Sequence, residues 1–133
     1  MKRVYSLPEA NHVLPLVRSV AKEFVERRQL RRTLHRQREQ LENARTPEGL
    51  RTELAELDIR ISDQDEAMAS CRREIEDMGM SVLRTNPLTV HIPGQSRSGP
   101  VVFCWEEGED SVCFGHPLGE EQEARRPLKL KAI

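Results

Sequence analysis

Through the middle of the chain the apolar positions alternate strictly by four and three: Leu50, Leu54, Leu57 and Ile61, then Gln64, Met68, Cys71, Ile75 and Met78. Such spacing keeps one narrow stripe turned toward a neighbouring helix, as in a heptad seam, here with one polar interruption at Gln64. Upstream, Ser6-Leu7-Pro8-Glu9 has the form of a capping box, with Pro8 in the first turn where its missing N–H costs nothing. Pro15 would remove the hydrogen bond to Asn11 and crowd that carbonyl. The pattern predicts a short opening helix, a kink near residues 11–15, and a main helix to about Arg45. Thr46-Pro47-Glu48-Gly49 marks a turn near 45–49, a second helix starts near Pro47, and Gly79 ends it.

If the helices pair antiparallel, the numbers of facing residues have a nearly constant sum. Met78 with Val13, Cys71 with Val20, Ile61 with Leu30, Leu57 with Leu34 and Leu50 with Leu41 all sum to 91, and Met68 with Phe24 and Ile75 with Val17 to 92. The same register places Gln64 opposite Arg27, a polar layer of the kind that fixes alignment at some cost in stability. Around it helix 1 carries Arg27, Arg28, Arg31, Arg32, Arg36 and Arg38, while helix 2 carries Glu53, Glu56, Asp58, Asp63, Asp65 and Glu66. These rows are expected to form flanking ion pairs on solvated faces.

Near its start helix 1 is apolar over a wide arc, from Val13 and Leu14 through Leu16, Val17, Val20 and Ala21 to Phe24 and Val25. So wide an arc calls for more than one covering surface: a C-terminal module, a second subunit, or both. From Ser81 the pattern changes to short β-prone runs at Leu88–Ile92, Val101–Trp105 and Val112–Phe114, with Pro93–Pro100 as a connection. A tight turn at Gly108-Glu109 would give cross-strand sums of 217, pairing Phe103 with Phe114, Trp105 with Val112 and Cys104 with Cys113. The expected fold is α+β and mostly α. It is a single domain in which a long coiled-coil-like hairpin (6–79) packs at its base on a small antiparallel β module with a tail (80–133).

Charge narrows the function classes. Lys and Arg number 21 against 22 Asp and Glu, net −1, so the overall field does not attract nucleic acid, and the arginine run lacks aromatic residues for stacking on bases. The mean hydropathy is −0.64 and no run approaches the roughly 20 apolar residues of a membrane span. Three cysteines without CxxC spacing, and an opening without an uninterrupted apolar stretch, suggest a cytoplasmic protein with reduced thiols. There is no glycine-rich phosphate loop, nucleophile elbow or HExxH.

Two strings carry a family likeness. Tyr5-Ser6-Leu7-Pro8-Glu9-Ala10-Asn11 followed by Leu14-Pro15, and Cys104-Trp105-Glu106-Glu107-Gly108-Glu109 followed by His116 and Arg126-Pro127-Leu128, resemble the two signatures of the mostly bacterial domain of unknown function 2203. The resemblance implies no particular activity, but it marks Trp105, Gly108, Glu109, His116 and Arg126 as matches to the pattern. Two positions depart from it. His91 before Ile92-Pro93 stands where relatives have Asp, and Gly115 where they have an aromatic residue.

Chemically, His91, Cys104, Glu109 and His116 come from neighbouring strands or their ends and include the ligand types of a divalent transition metal. An Asp-to-His exchange preserves that capacity. Against convergence, the 217 register puts His116 on the Trp105 face and Cys104 on the other, so a bend would be needed to join all four. The structural alternative makes Trp105 core, Gly108 a turn residue, Glu109 a turn cap and His116 a partner of the backbone. The leading expectation is a non-enzymatic hairpin protein acting as a homo-oligomer, such as a dimer, or through a protein partner. The alternative is a metal-binding protein or small metal-dependent enzyme with its site on the β module.

Overall fold

The structure is a computed structural model that describes residues 3–44, 50–118 and 126–128. Its elements run α1 (Leu7–Asn43), α2 (Leu50–Asp77), β1 (Ser81–Thr85), β2 (Leu88–Ser96), β3 (Gly99–Glu106), β4 (Phe114–Pro117) and β5 (Arg126–Pro127). Backbone proximity divides the chain into two compact units, Lys22–Arg72 and the remainder, Met1–Ala21 with Arg73–Ile133.

The helix ends follow the sequence closely. Ser6 N–H donates to Glu9 Oε1 at 3.0 Å and Glu9 N–H to Ser6 Oγ at 3.2 Å, so the box is reciprocal. The Ser6 backbone N–H, and then its hydroxyl, hold the Glu9 carboxyl below its ordinary range. The cap's electrostatic part is therefore present at neutral pH and is lost in acid as Glu9 takes a proton. At the far end of α2, Gly79 has φ +83, with Gly79 N–H on Glu76 O at 2.9 Å and Met80 N–H on Ile75 O at 3.4 Å. That pair is a Schellman cap, which needs a residue at ease in the left-handed region.

One expectation about α1 is corrected. The helix is continuous through Pro15 and is not divided into a short opening helix and a main one. Pro15 sits on the exposed side, and Asn11 just before it is held by its own side chain, whose Nδ2 donates to Leu7 O and to Val112 O, both at 3.3 Å. The helix is thus anchored next to the bond that the proline removes. The expected turn at 45–49 lies outside the described residues.

Within Lys22–Arg72, the α2 positions of the predicted seam, Leu54, Leu57, Ile61, Gln64, Met68 and Cys71, are all buried or half-buried. Arg27 Nη1 donates to Gln64 Oε1 at 3.3 Å, so the polar layer forms where the sum of 91 requires it. Leu30 is 39% exposed, and Arg31 and Arg38 are half-buried. Their guanidinium groups reach acids of the helical unit. Arg31 Nε meets Asp65 Oδ1 and Arg38 Nε meets Asp58 Oδ1, both at 2.5 Å, and Arg38 also pairs with Glu42. The Arg38 hydrogen bond holds the Asp58 carboxyl below its usual range.

The second unit is built on a five-stranded sheet in the order β1-β2-β3-β4-β5, with each neighbouring pair antiparallel. Register puts Val82, Val90 and Trp105 in one row and Ile92 and Phe103 in the next. All five are buried, as are Ala10, Leu14 and Val17 of α1 and Ile75 of α2, so most of the wide apolar arc at the start of α1 is covered within the chain. Leu16 is the exception, at 58% exposure. Thr89 and Cys104 are buried on the opposite face of the sheet.

Three strand assignments differ from the sequence pattern. β1 was not expected, because Val82 alone in Ser81–Thr85 is buried and the strand shows no clear alternation. β2 continues through Pro93 to Ser96, and a two-residue turn joins it to β3. Pro93 lacks an N–H, but its carbonyl accepts from Tyr5 N–H at 2.9 Å and Gln95 N–H donates to Tyr5 O at 3.0 Å, so Tyr5 extends the sheet beyond β1. The third difference is register. Phe103 pairs with Gly115 and Cys104 with Phe114, a sum of 218 and not 217.

The cause of the slip is the connection. Gly108, at φ +95, lies in a turn closed by Glu109 N–H on Glu106 O at 3.0 Å, which ends β3 early. The chain then runs to Val112, whose N–H donates to Asn11 Oδ1 at 2.7 Å. A longer loop pinned to α1 replaces the two-residue hairpin. The Cys104–Cys113 pair is consequently not formed: Cys104 is buried, Cys113 is exposed, and no cysteine is in a disulfide.

Gly94 tests the packing of the extended β2. A Cβ built there would lie 2.4 Å from the Phe103 ring, which is fully buried and cannot swing aside. Gly94→Ala is expected to lower the unfolding free energy by about 1–3 kcal/mol through overpacking, measured by urea denaturation, with Gln95→Ala nearly neutral.

Candidate functional site

The slip of one residue decides what meets on the outer face of the sheet. Side chains alternate between faces with a period of two, so moving β4 by one position against β3 transfers all of its side chains to the other side. In the observed pairing His116 stands opposite Val102, two residues from Cys104, and His91 on β2 stands opposite Cys104. All three therefore share one face without any bend. Their ligand atoms lie within 4.8 Å of one another, and the two imidazole rings meet edge to face with centroids 5.4 Å apart.

Two of the three residues are buried. Cys104 is fully buried, His116 is 5% exposed, and His91 is half-buried. His116 Nδ1 lies 3.1 Å from Pro117 O, and since a carbonyl can only accept, that contact places the proton on Nδ1. Nε2 then presents a lone pair, and it is buried with no hydrogen-bond partner among the described residues. An unmet buried polar atom costs about 1–3 kcal/mol, so its position calls for a reason. Metal-binding histidines commonly carry this arrangement, with one nitrogen fixed by a backbone carbonyl and the other free to ligate.

The donor set can be tested for size. Two nitrogens and a sulfur around a tetrahedral ion stand roughly 3.3–3.7 Å apart, given bond lengths of about 2.0–2.1 and 2.3 Å. The 4.8 Å spread needs a contraction of about an ångström, within reach of small side-chain rotations. Two imidazoles and a thiolate suit zinc and similar borderline ions and are poor ligands for calcium or magnesium.

Glu109 does not join the group. Its carboxylate accepts the Glu106 N–H at 2.6 Å and its carbonyl accepts Trp105 Nε1–H at 2.9 Å, so it closes the end of β3. Trp105, 2% exposed, is core, and Gly108 supplies the positive φ of the turn. Arg126 pairs with Gly115 through the backbone of β5. Gly115 has its own constraint, because a Cβ there would lie 2.8 Å from Val102 O. Arg27 and Gln64 form their layer within the helical unit. His12 and His35 are both exposed, and His35 pairs with Glu39 at 3.3 Å.

Two residues of the first signature have roles that the sequence reading did not assign. Asn11 binds both the N–H and the carbonyl of Val112, acting as a strand partner supplied by a helix. Tyr5 joins β2 through its backbone and donates its hydroxyl to Met78 O at 2.7 Å. An Asn in the second turn of a helix, a position where its propensity is poor, is a signal that could have pointed to such a tie.

Compared with known protein families, residues 3–128 match a family described as an uncharacterized conserved protein, DUF2203. No curated protein and no solved structure gives a match.

If His116 Nε2 is truly unmet when no ion is bound, deleting it should cost little. His116→Asn keeps an N–H in the place of Nδ1 and removes Nε2. In chelator-treated protein its unfolding free energy is expected to fall by no more than about 1–2 kcal/mol, because relief of the unmet atom offsets lost ring packing. Chemical denaturation monitored by Trp105 fluorescence measures this, and a much larger loss would mean that Nε2 serves the fold itself.

Proposed function

We propose, from the premise that the chain belongs to the DUF2203 family, that this protein binds one divalent transition-metal ion of the zinc class through His91, Cys104 and His116. The observation that carries the reading is the buried Nε2 of His116, without a hydrogen-bond partner among the described residues, beside a buried thiol and a second imidazole. Three adjacent strands of a hydrogen-bonded sheet hold the ligands, so little order has to be gained on binding. His91 stands where relatives are expected to have Asp, an exchange that keeps a ligand in place.

Action through a partner or a second copy is the other reading. It drew on the wide apolar arc of α1, and most of that arc is buried within the chain, which leaves Leu16 as a single exposed residue. Scattered exposed apolar residues are ordinary on protein surfaces. The metal reading has the more specific support. Among the described residues no helix is long and apolar enough to cross a membrane.

Protein purified without chelators or an affinity tag is expected to contain about one equivalent of metal by elemental analysis. Cys104→Ala and His116→Asn should each lose it, whereas Glu109→Gln should retain it. Zinc at a hundredfold excess over its Kd should stabilise the unmodified chain by about 2.7 kcal/mol, visible as a rise in Tm absent from both ligand variants. Retention of full metal by Cys104→Ala and His116→Asn would contradict the assignment.

A further inference from the structure

Resting on the metal reading, we infer that the ion keeps one coordination position open to a cleft on the same face of the sheet, and that this position takes a small organic monocarboxylate. Among the described residues, His91, Cys104 and His116 have no fourth His, Cys, Asp or Glu donor within reach. A tetrahedral ion with three protein ligands leaves one position for water or an outside ligand, the arrangement that separates reactive zinc sites from structural ones.

The direction of that position follows from burial. Cys104 and His116 are sealed into the protein, while His91 is half-buried and lines a cleft of about 510 Å³. Ser81, opposite His91, and Val102 and Pro93, a pair one step along the same face from Cys104, line it too. The cleft thus lies over the face that carries the ligands, and its volume falls in the usual range for small-molecule sites, about 300–1,000 Å³.

Charge and lining select the ligand class. A divalent ion with one thiolate and two neutral imidazoles keeps a net positive charge, and Arg3 adds a second cation to the wall of the cleft. Both favour a monoanion. Val102, Pro93 and Leu118 offer apolar surface beside them, and Leu118 is 65% exposed, surface that a ligand's hydrocarbon part would cover. A carboxylate with a short apolar tail meets both requirements: its oxygen takes the open position and its tail lies on the apolar wall.

Cobalt(II) loaded into the full chain provides the test, since its visible bands report coordination and its near-ultraviolet charge-transfer band reports the thiolate. Butyrate should shift the visible bands saturably, with an affinity about tenfold above that of acetate, the factor expected from burying two more methylenes. Arg3→Gln should weaken butyrate binding about threefold and leave cobalt uptake unchanged. Visible bands that do not respond to butyrate in a protein showing the charge-transfer band would overturn the open position while leaving the metal site standing. A response to inorganic phosphate but not to butyrate would overturn the carboxylate assignment. Failure to take up cobalt at all would remove the metal reading and this inference together.

Discussion

The register between β3 and β4 is the constraint on which the rest of the outer sheet face depends. With Cys104 against Phe114 and Val102 against His116, two imidazoles and a thiol share one face; with the pairing one residue earlier, His116 would stand opposite Val101, on the core face that carries Phe103 and Trp105. The register is set by ties from outside the two strands. Asn11 of α1 grips the backbone of Val112 on both sides, Leu128 N–H donates to Cys113 O at 2.8 Å, and Glu109 closes the turn that ends β3. A helix residue bonded to the loop before β4 thereby bears on what stands on the outer face.

This division of labour assigns the family's two signatures to structure and chemistry in unequal shares. Tyr5, Ser6, Glu9 and Asn11 of the first cap the helix and hold it to the sheet. Trp105, Gly108 and Glu109 of the second form core and turn, and Cys104 and His116 stand with His91 on the outer face. Glu109 has the chemistry of a ligand but the position of a cap. Its carboxylate is occupied by the Glu106 N–H at a strand end, where it stabilises the very turn that fixes the register.

Elements governed by local periodicity were legible in the chain. The four-three alternation of α2 reappears as burial at its seam positions, and the Arg27–Gln64 layer forms where antiparallel pairing demands, because both follow from helix geometry alone. Leu30, at 39% exposure, is less buried than its place in the pattern suggests, and its neighbour Arg31 reaches Asp65, a pairing that apolar letters do not express. The helix through Pro15, the strand through Pro93 and the β3–β4 register share a different cause. Each is decided by a partner distant in sequence, Val112 for Asn11, Tyr5 for Pro93 and Asn11 for Val112. The ligand types of the site were readable, but their convergence was not, because it turned on that one-residue shift.

A metal ion held in this register by two nitrogens and one sulfur has a distinct spectroscopic signature. X-ray absorption at the zinc edge of the loaded protein measures the ligand shell directly. One sulfur at about 2.3 Å and nitrogen or oxygen neighbours at about 2.0–2.1 Å are expected, with imidazole scattering from two histidines. A shell without sulfur, or one made of oxygen alone, would contradict that ligand set.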